Sequence, residues 1–70
     1  MNAYTAILEL ADDGSWSGYF PDLPGCTSWG ETREELVGNL PVAMSLWLED
    51  AREDGDPIPR PRSQATLVPA

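Results

Sequence analysis

The sequence predicts an α+β two-layer sandwich of the α/β class, ordered βββαβ, with one helix on a four-stranded sheet. Three observations predict it. Residues 4–11 alternate apolar and polar side chains with period two, the mark of a half-buried strand. Two short aromatic-bearing runs then flank a Pro21-Asp22-Leu23-Pro24-Gly25 turn, whose path is set by proline's fixed φ and glycine's access to positive φ. Finally, Thr32 opens a long pattern of helical period. Seventy residues make one domain, residues 1–70.

The first strand is read over residues 4–11. Tyr4, Ala6, Leu8 and Leu10 share one face, and Thr5, Ile7 and Glu9 share the other. Asp12-Asp13-Gly14 forms the hairpin turn, with Asp-Gly as its signal. The second strand covers residues 15–20 and carries Trp16, Tyr19 and Phe20. A third short strand covers residues 26–29. These three strands predict an antiparallel meander.

Thr32 reads as an N-cap, and Glu35 three residues later completes a capping box. Glu34 and Glu35 lie at the positive end of the helix dipole. The helix is expected over residues 33–54. Leu36, Val37, Leu40, Ala43, Met44, Trp47, Leu48 and Ala51 fall on one apolar face that would pack on the sheet. Pro41 interrupts this pattern, since a mid-helix proline removes a hydrogen bond. The apolar face keeps its register across Pro41, so one kinked helix is expected rather than two. Gly55 follows the helix as a terminator.

Pro57, Pro59 and Pro61 require an extended segment after it. Spaced prolines also suit a polyproline ligand. The reading preferred is a stiff connector to a last strand at Ala65, Thr66, Leu67 and Val68. A helical crossover would bring that strand beside the first.

Composition narrows the function. Twelve Asp and Glu face four Arg and no Lys, a net charge of −8. Gripping a nucleic-acid backbone needs Lys and Arg to displace counterions, so direct DNA or RNA binding is not expected. The balance suits a basic partner, or simply solubility. His is absent and Cys26 is single. No internal disulfide and no Cys/His metal cluster is available, and no cofactor is expected. A domain of this size has a marginal core, so self-association, most simply a homodimer, is the expected aid. Ala65, Thr66, Leu67 and Val68 are the candidate oligomer interface, because an edge strand can pair across a two-fold axis.

Met1-Asn2-Ala3-Tyr4 has no basic or apolar signal-peptide region. No apolar run approaches the ~20 residues of a membrane helix. A cytoplasmic protein with no membrane partner is expected.

Catalysis finds little support. Glu9 is the only acid inside the first strand and the final strand has none, so converging carboxylates for two-metal nuclease chemistry are missing. Cys26 has no His to activate it and reads as a small residue at a strand start. A binding role is the better reading. Val42 and Leu46 are i, i+4 neighbours off the core-facing arc, with Glu35, Glu49, Asp50 and Glu53 around them. An apolar centre with a charged rim is the anatomy of a protein interface. The alternative is ordinary surface, much of which is apolar. Val42, Leu46, Glu49, Asp50 and Glu53 are the candidate partner-binding residues.

The chain resembles the HicB-like antitoxin family of type II toxin–antitoxin systems. The resemblance is carried by Tyr4-Thr5-Ala6-Ile7-Leu8-Glu9 and by Gly18-Tyr19-Phe20-Pro21-Asp22-Leu23-Pro24-Gly25-Cys26. Trp29-Gly30-Glu31-Thr32 and Asp54-Gly55-Asp56-Pro57-Ile58-Pro59 complete it, in the family's order. The resemblance implies a partial ribonuclease H-like fold. It also implies a partner, a small basic HicA-like mRNA interferase that the antitoxin binds and neutralises. Full-length members carry a C-terminal DNA-binding domain. This chain ends at Ala70, so it resembles a short form and operator binding by it alone is not expected. The competing reading is an orphan homo-oligomeric domain that keeps the fold without a toxin.

Overall fold

A computed structural model describes residues 3–70, so the sequence reading of Met1 and Asn2 lies outside it. Three strands, β1 (Ile7–Leu10), β2 (Trp16–Tyr19) and β3 (Thr27–Gly30), precede one helix, α1 (Arg33–Glu53). The strands form an antiparallel sheet in the order β1-β2-β3. Each strand is four residues, shorter than the alternating pattern suggests. Residues 3–6 join no ladder.

The hairpin between β1 and β2 closes through Ala11 N–H to the Ser15 carbonyl at 2.9 Å. Asp13 Oδ1 accepts from both the Ser15 amide and hydroxyl, at 2.9 and 2.6 Å. Those two bonds lower the Asp13 pKa. A short acid thus stands in for a backbone acceptor within the turn.

Register assigns two faces. Leu8 pairs with Gly18 and Gly18 with Ser28; Leu10 pairs with Trp16 and Trp16 with Gly30. This face looks toward α1, and it holds Tyr4, Ala6 and Leu8 as the alternation predicts. Leu10, at the strand's end, escapes burial. Ile7, Tyr19 and Thr27 form one row of the opposite face, and Glu9, Ser17 and Trp29 the next.

The helix starts at Thr32, whose extended backbone lets its Oγ1 accept from Glu35 N–H at 3.1 Å. It ends in a Schellman motif. Gly55 takes φ +72°, its N–H reaches the Arg52 carbonyl, and Asp56 N–H reaches the Ala51 carbonyl at 2.8 Å. Between these caps α1 runs unbroken through Pro41. A single helix is therefore observed, as the continuous apolar face predicts.

α1 lies over β3 and β2 and makes no close backbone approach to β1. Gly30 permits this seating: a Cβ there would lie 2.5 Å from the Leu36 backbone nitrogen. Asn39 Nδ2 donates to the Trp29 carbonyl, and Trp47 Nε1 donates to the Pro24 carbonyl, both at 2.9 Å. Leu36 and Leu40 are buried, while Val37 at the margin of the predicted core face is 44% exposed.

The core gathers Phe20, Leu23, Cys26, Leu36 and Leu40. Three of these come from the loop between β2 and β3. Leu23 and Leu36 are fully buried, so the Pro-Asp-Leu-Pro-Gly turn is a plug as well as a connector. Its bonds, Leu23 N–H to the Phe20 carbonyl and Cys26 N–H to the Leu23 carbonyl, fold the leucine inward.

The expected fourth strand is not formed. Residues 56–70 hold neither helix nor strand, and Ala65, Thr66, Leu67 and Val68 are exposed and unpaired. The sheet has three strands among the described residues. The physical cause lies upstream. Asp22 Oδ2 accepts from the backbone N–H groups of Arg62 and Ser63, and Oδ1 accepts from the Ser63 hydroxyl, at 2.7–2.9 Å. Thr5 Oγ1 donates to the Ser63 carbonyl, and the Tyr4 hydroxyl to the Pro59 carbonyl. These bonds fix the course of residues 59–63 just before the expected strand, and the backbone of residues 65–68 meets no ladder partner among the described residues. Prolines 57, 59 and 61 have no N–H to offer β1.

Candidate functional site

The outer face of α1 carries the residues expected to meet a partner. The Thr32 cap, the Asn39–Trp29 bond and the Trp47–Pro24 bond fix where the helix starts and how it is rotated. With Leu36, Leu40 and Ala51 turned inward, Val42 and Leu46 must face out. They are 60% and 57% exposed. Glu49, Asp50 and Glu53 are exposed on the turns that follow.

The structure brings part of this set to one concavity. Leu46 and Asp50, with Trp47 and Ala43, line a cleft of about 260 Å³ against Gly25, Cys26 and Thr27 of the turn. Val42 sits one helical turn before Leu46, and Glu49 and Glu53 lie outside the cleft walls. Beyond Trp47 a second recess is bordered by Asp50, Asp54 and Asp56. The surface therefore reads as an apolar patch merging into an acidic end of the helix. Helical periodicity puts Val42 and Leu46 off the core side, and both are exposed. It gave no hint that the plug turn forms the cleft's far wall, because that wall depends on long-range contact.

The candidate oligomer residues lie elsewhere. Leu67 is 98% and Val68 81% exposed. They do not adjoin the helix-face patch through any described contact.

Two polar features were missed by sequence reading. Asp22 was read as a turn residue; it is the clasp for residues 62 and 63. Accepting from the Arg62 amide, then from the Ser63 hydroxyl and amide, holds its carboxyl below the usual carboxylate range. Trp47 was read as core; its indole N–H also ties α1 to the plug turn. A lone Asp between two prolines carries no sequence signal for a partner forty residues away.

Cys26 is buried, and desolvation pushes its thiol pKa up, which leaves it protonated near neutrality. Among the described residues no group of three His, Cys, Asp or Glu could hold a metal ion. No described helix is long and apolar enough to cross a membrane.

Comparison with known proteins places this architecture. A family described as the HicB-like antitoxin of bacterial toxin–antitoxin systems matches residues 4–69. The chain belongs to that family. It is 37% identical over 57 residues to UPF0150 protein ssr1765 of Synechocystis, covering 81% of this chain and 72% of that one. It is 31% identical over 67 residues to UPF0150 protein Ta0767 of Thermoplasma acidophilum, covering 96% and 97%. It is 34% identical over 58 residues to the protein named Antitoxin HicB 1 of Photorhabdus laumondii, covering 83% of this chain and 37% of that protein.

Proposed function

We propose that this protein is an antitoxin-like binding module that docks a small basic HicA-type mRNA interferase on the outer face of α1 and blocks its access to RNA. The observation that carries the reading is the exposed Val42–Leu46 pair beside Glu49, Asp50 and Glu53. An apolar centre supplies desolvated contact, and a charged rim supplies complementarity. Charge of this kind acts mostly on association rate and choice of partner. Membership of an antitoxin family supports the partner class, and the net charge of −8 supports a basic one. The protein itself acts without catalysis, without a cofactor and without gripping nucleic acid.

Co-expression with the small basic reading frame next to its gene tests the reading. The two chains should copurify, and growth arrested by the basic product should resume. Leu46→Asp should weaken both effects while leaving the fold intact, since Leu46 is 57% exposed and is not a member of the buried cluster. A gene neighbourhood without such a frame, or two chains that neither copurify nor restore growth, would refute it.

A further inference from the structure

Trp47 borders two adjoining hollows. The first is the cleft of about 260 Å³ that Leu46 and Ala43 share with the plug turn. The second is a recess of about 210 Å³ bordered by Trp47, Asp50, Ala51, Asp54 and Asp56. Trp47 and Asp50 belong to both, so the two form one continuous groove along the last turns of α1. Its dividing wall is held in place. The Trp47 indole N–H donates to the Pro24 carbonyl at 2.9 Å, and the ring packs on the core.

The far end of the groove is set by backbone bonds. Asp54 N–H reaches the Asp50 carbonyl at 3.0 Å, and Asp56 N–H reaches the Ala51 carbonyl at 2.8 Å. The side chains of Asp50, Asp54 and Asp56 are left exposed. Among the described residues no hydrogen bond engages their carboxylates.

This charge runs against the helix. A helix C-terminus is the negative end of the dipole and favours cations. Here Glu49, Asp50, Glu53 and Asp54 crowd it, with Arg52 as the basic residue of the last turn. Arg52 stands two positions from both Asp50 and Asp54, a spacing at which helical side chains do not face each other. The chain therefore concentrates negative potential at the groove without neutralising it. A metal ion does not suit the place, since among the described residues no three acids could hold one. A broader, flat cation does. A guanidinium presents a fork of donors to carboxylates and stacks on an indole face.

We infer, resting on the toxin-binding reading above, that the partner inserts an arginine side chain into the recess and a neighbouring apolar side chain into the cleft. The guanidinium lies against Trp47 and bonds the carboxylates of Asp50, Asp54 and Asp56. The apolar neighbour is covered by Leu46, Ala43 and the plug turn. Two features select this occupant. The acids at the recess call for positive charge, and the indole wall favours a planar cation over the compact ammonium of lysine. The shared walls, Trp47 and Asp50, require the two inserted side chains to be close neighbours on the partner. Tryptophan and arginine are also the residue types that most often dominate interface energy.

Calorimetric titration with a catalytically inactive HicA-type toxin tests this. Asp54→Asn/Asp56→Asn keeps the side-chain shapes and removes two charges. It should raise Kd at least about tenfold, as loss of charge-assisted bonds does, and should flatten the dependence of Kd on salt. Circular dichroism should stay the same and the urea midpoint should not fall, because crowding of like charge at the helix end is relieved. A merely structural role for these acids would lower stability together with affinity. Glu9→Gln/Asp12→Asn removes the same charge from β1 and its hairpin, away from α1, and should change Kd less than about twofold. If Leu46→Asp weakens binding and Asp54→Asn/Asp56→Asn does not, the inference is overturned and the helix-face reading stands. If neither variant weakens binding, both fall. The cation chemistry is read without the toxin by NMR titration with acetyl-arginine amide and its neutral isostere acetyl-citrulline amide. The arginine compound should shift the Trp47 indole N–H and the Asp54 and Asp56 amides, and the citrulline compound should not. An equal response to the two, or none to either, overturns the inference.

Discussion

Asp22 shows how much one side chain decides here. Its two oxygens take three hydrogen bonds from residues 62 and 63, and those bonds set where the C-terminal segment departs. All three strengthen with negative charge, so the folded pKa lies below the unfolded one. The linkage then has a definite sign. The clasp stabilises the fold above the unfolded Asp value and is lost as pH falls through the lower, folded value. The amide proton shifts of Arg62 and Ser63 should titrate together, with a midpoint below the ordinary Asp value of about 3.9. A midpoint at or above that value would contradict the clasp. Asp22→Asn should move both amides at neutral pH toward their unclasped positions. Leu23 is the apolar counterpart: a turn residue by sequence, fully buried by structure. Turn chemistry specifies a backbone path and is silent on which side chain of the turn is driven inward.

At the scale of elements, whatever rests on local chemistry was legible. The β1–β2 hairpin follows from alternation and Asp-Gly, the helix start from Thr32 and Glu35, and its end from Gly55. The predicted strand at Ala65, Thr66, Leu67 and Val68 has the right residues for a ladder and no partner in this chain. Its fate depends on Asp22, Thr5 and Tyr4, contacts between residues far apart in sequence that no local pattern encodes. Helix α1 carries a second testable consequence. Pro41 lies in its interior and leaves the Val37 carbonyl without a helical donor. Pro41→Ala restores that bond, and Pro41 is exposed, so no buried contact is lost with its ring. Thermal or urea unfolding should show a gain of about 1–3 kcal/mol. A variant less stable than the wild type would mean that the proline ring packs against something essential.

For the whole molecule, the structure sets out two separate surfaces. An apolar groove of about 440 Å³ lies between Tyr4 and Ala6 and the Val37, Met44 and Leu48 side of α1, and the outer face of α1 presents Val42 and Leu46 next to acids. The helix-face candidates were legible from the 3.6-residue period, since the core side of the wheel leaves them outside. The cleft they share with the plug turn was not, because it is made only when Leu23 pulls that turn beneath the helix. The claim on which the functional account stands is that this face binds a basic toxin. Its most direct test is calorimetric titration of a catalytically inactive HicA-type partner with the wild type and with Leu46→Asp. A charge placed at a desolvated interface centre should raise Kd at least about tenfold, the effect of roughly 1.4 kcal/mol. Equal Kd values for the two chains, with both folded, would show that the toxin docks elsewhere.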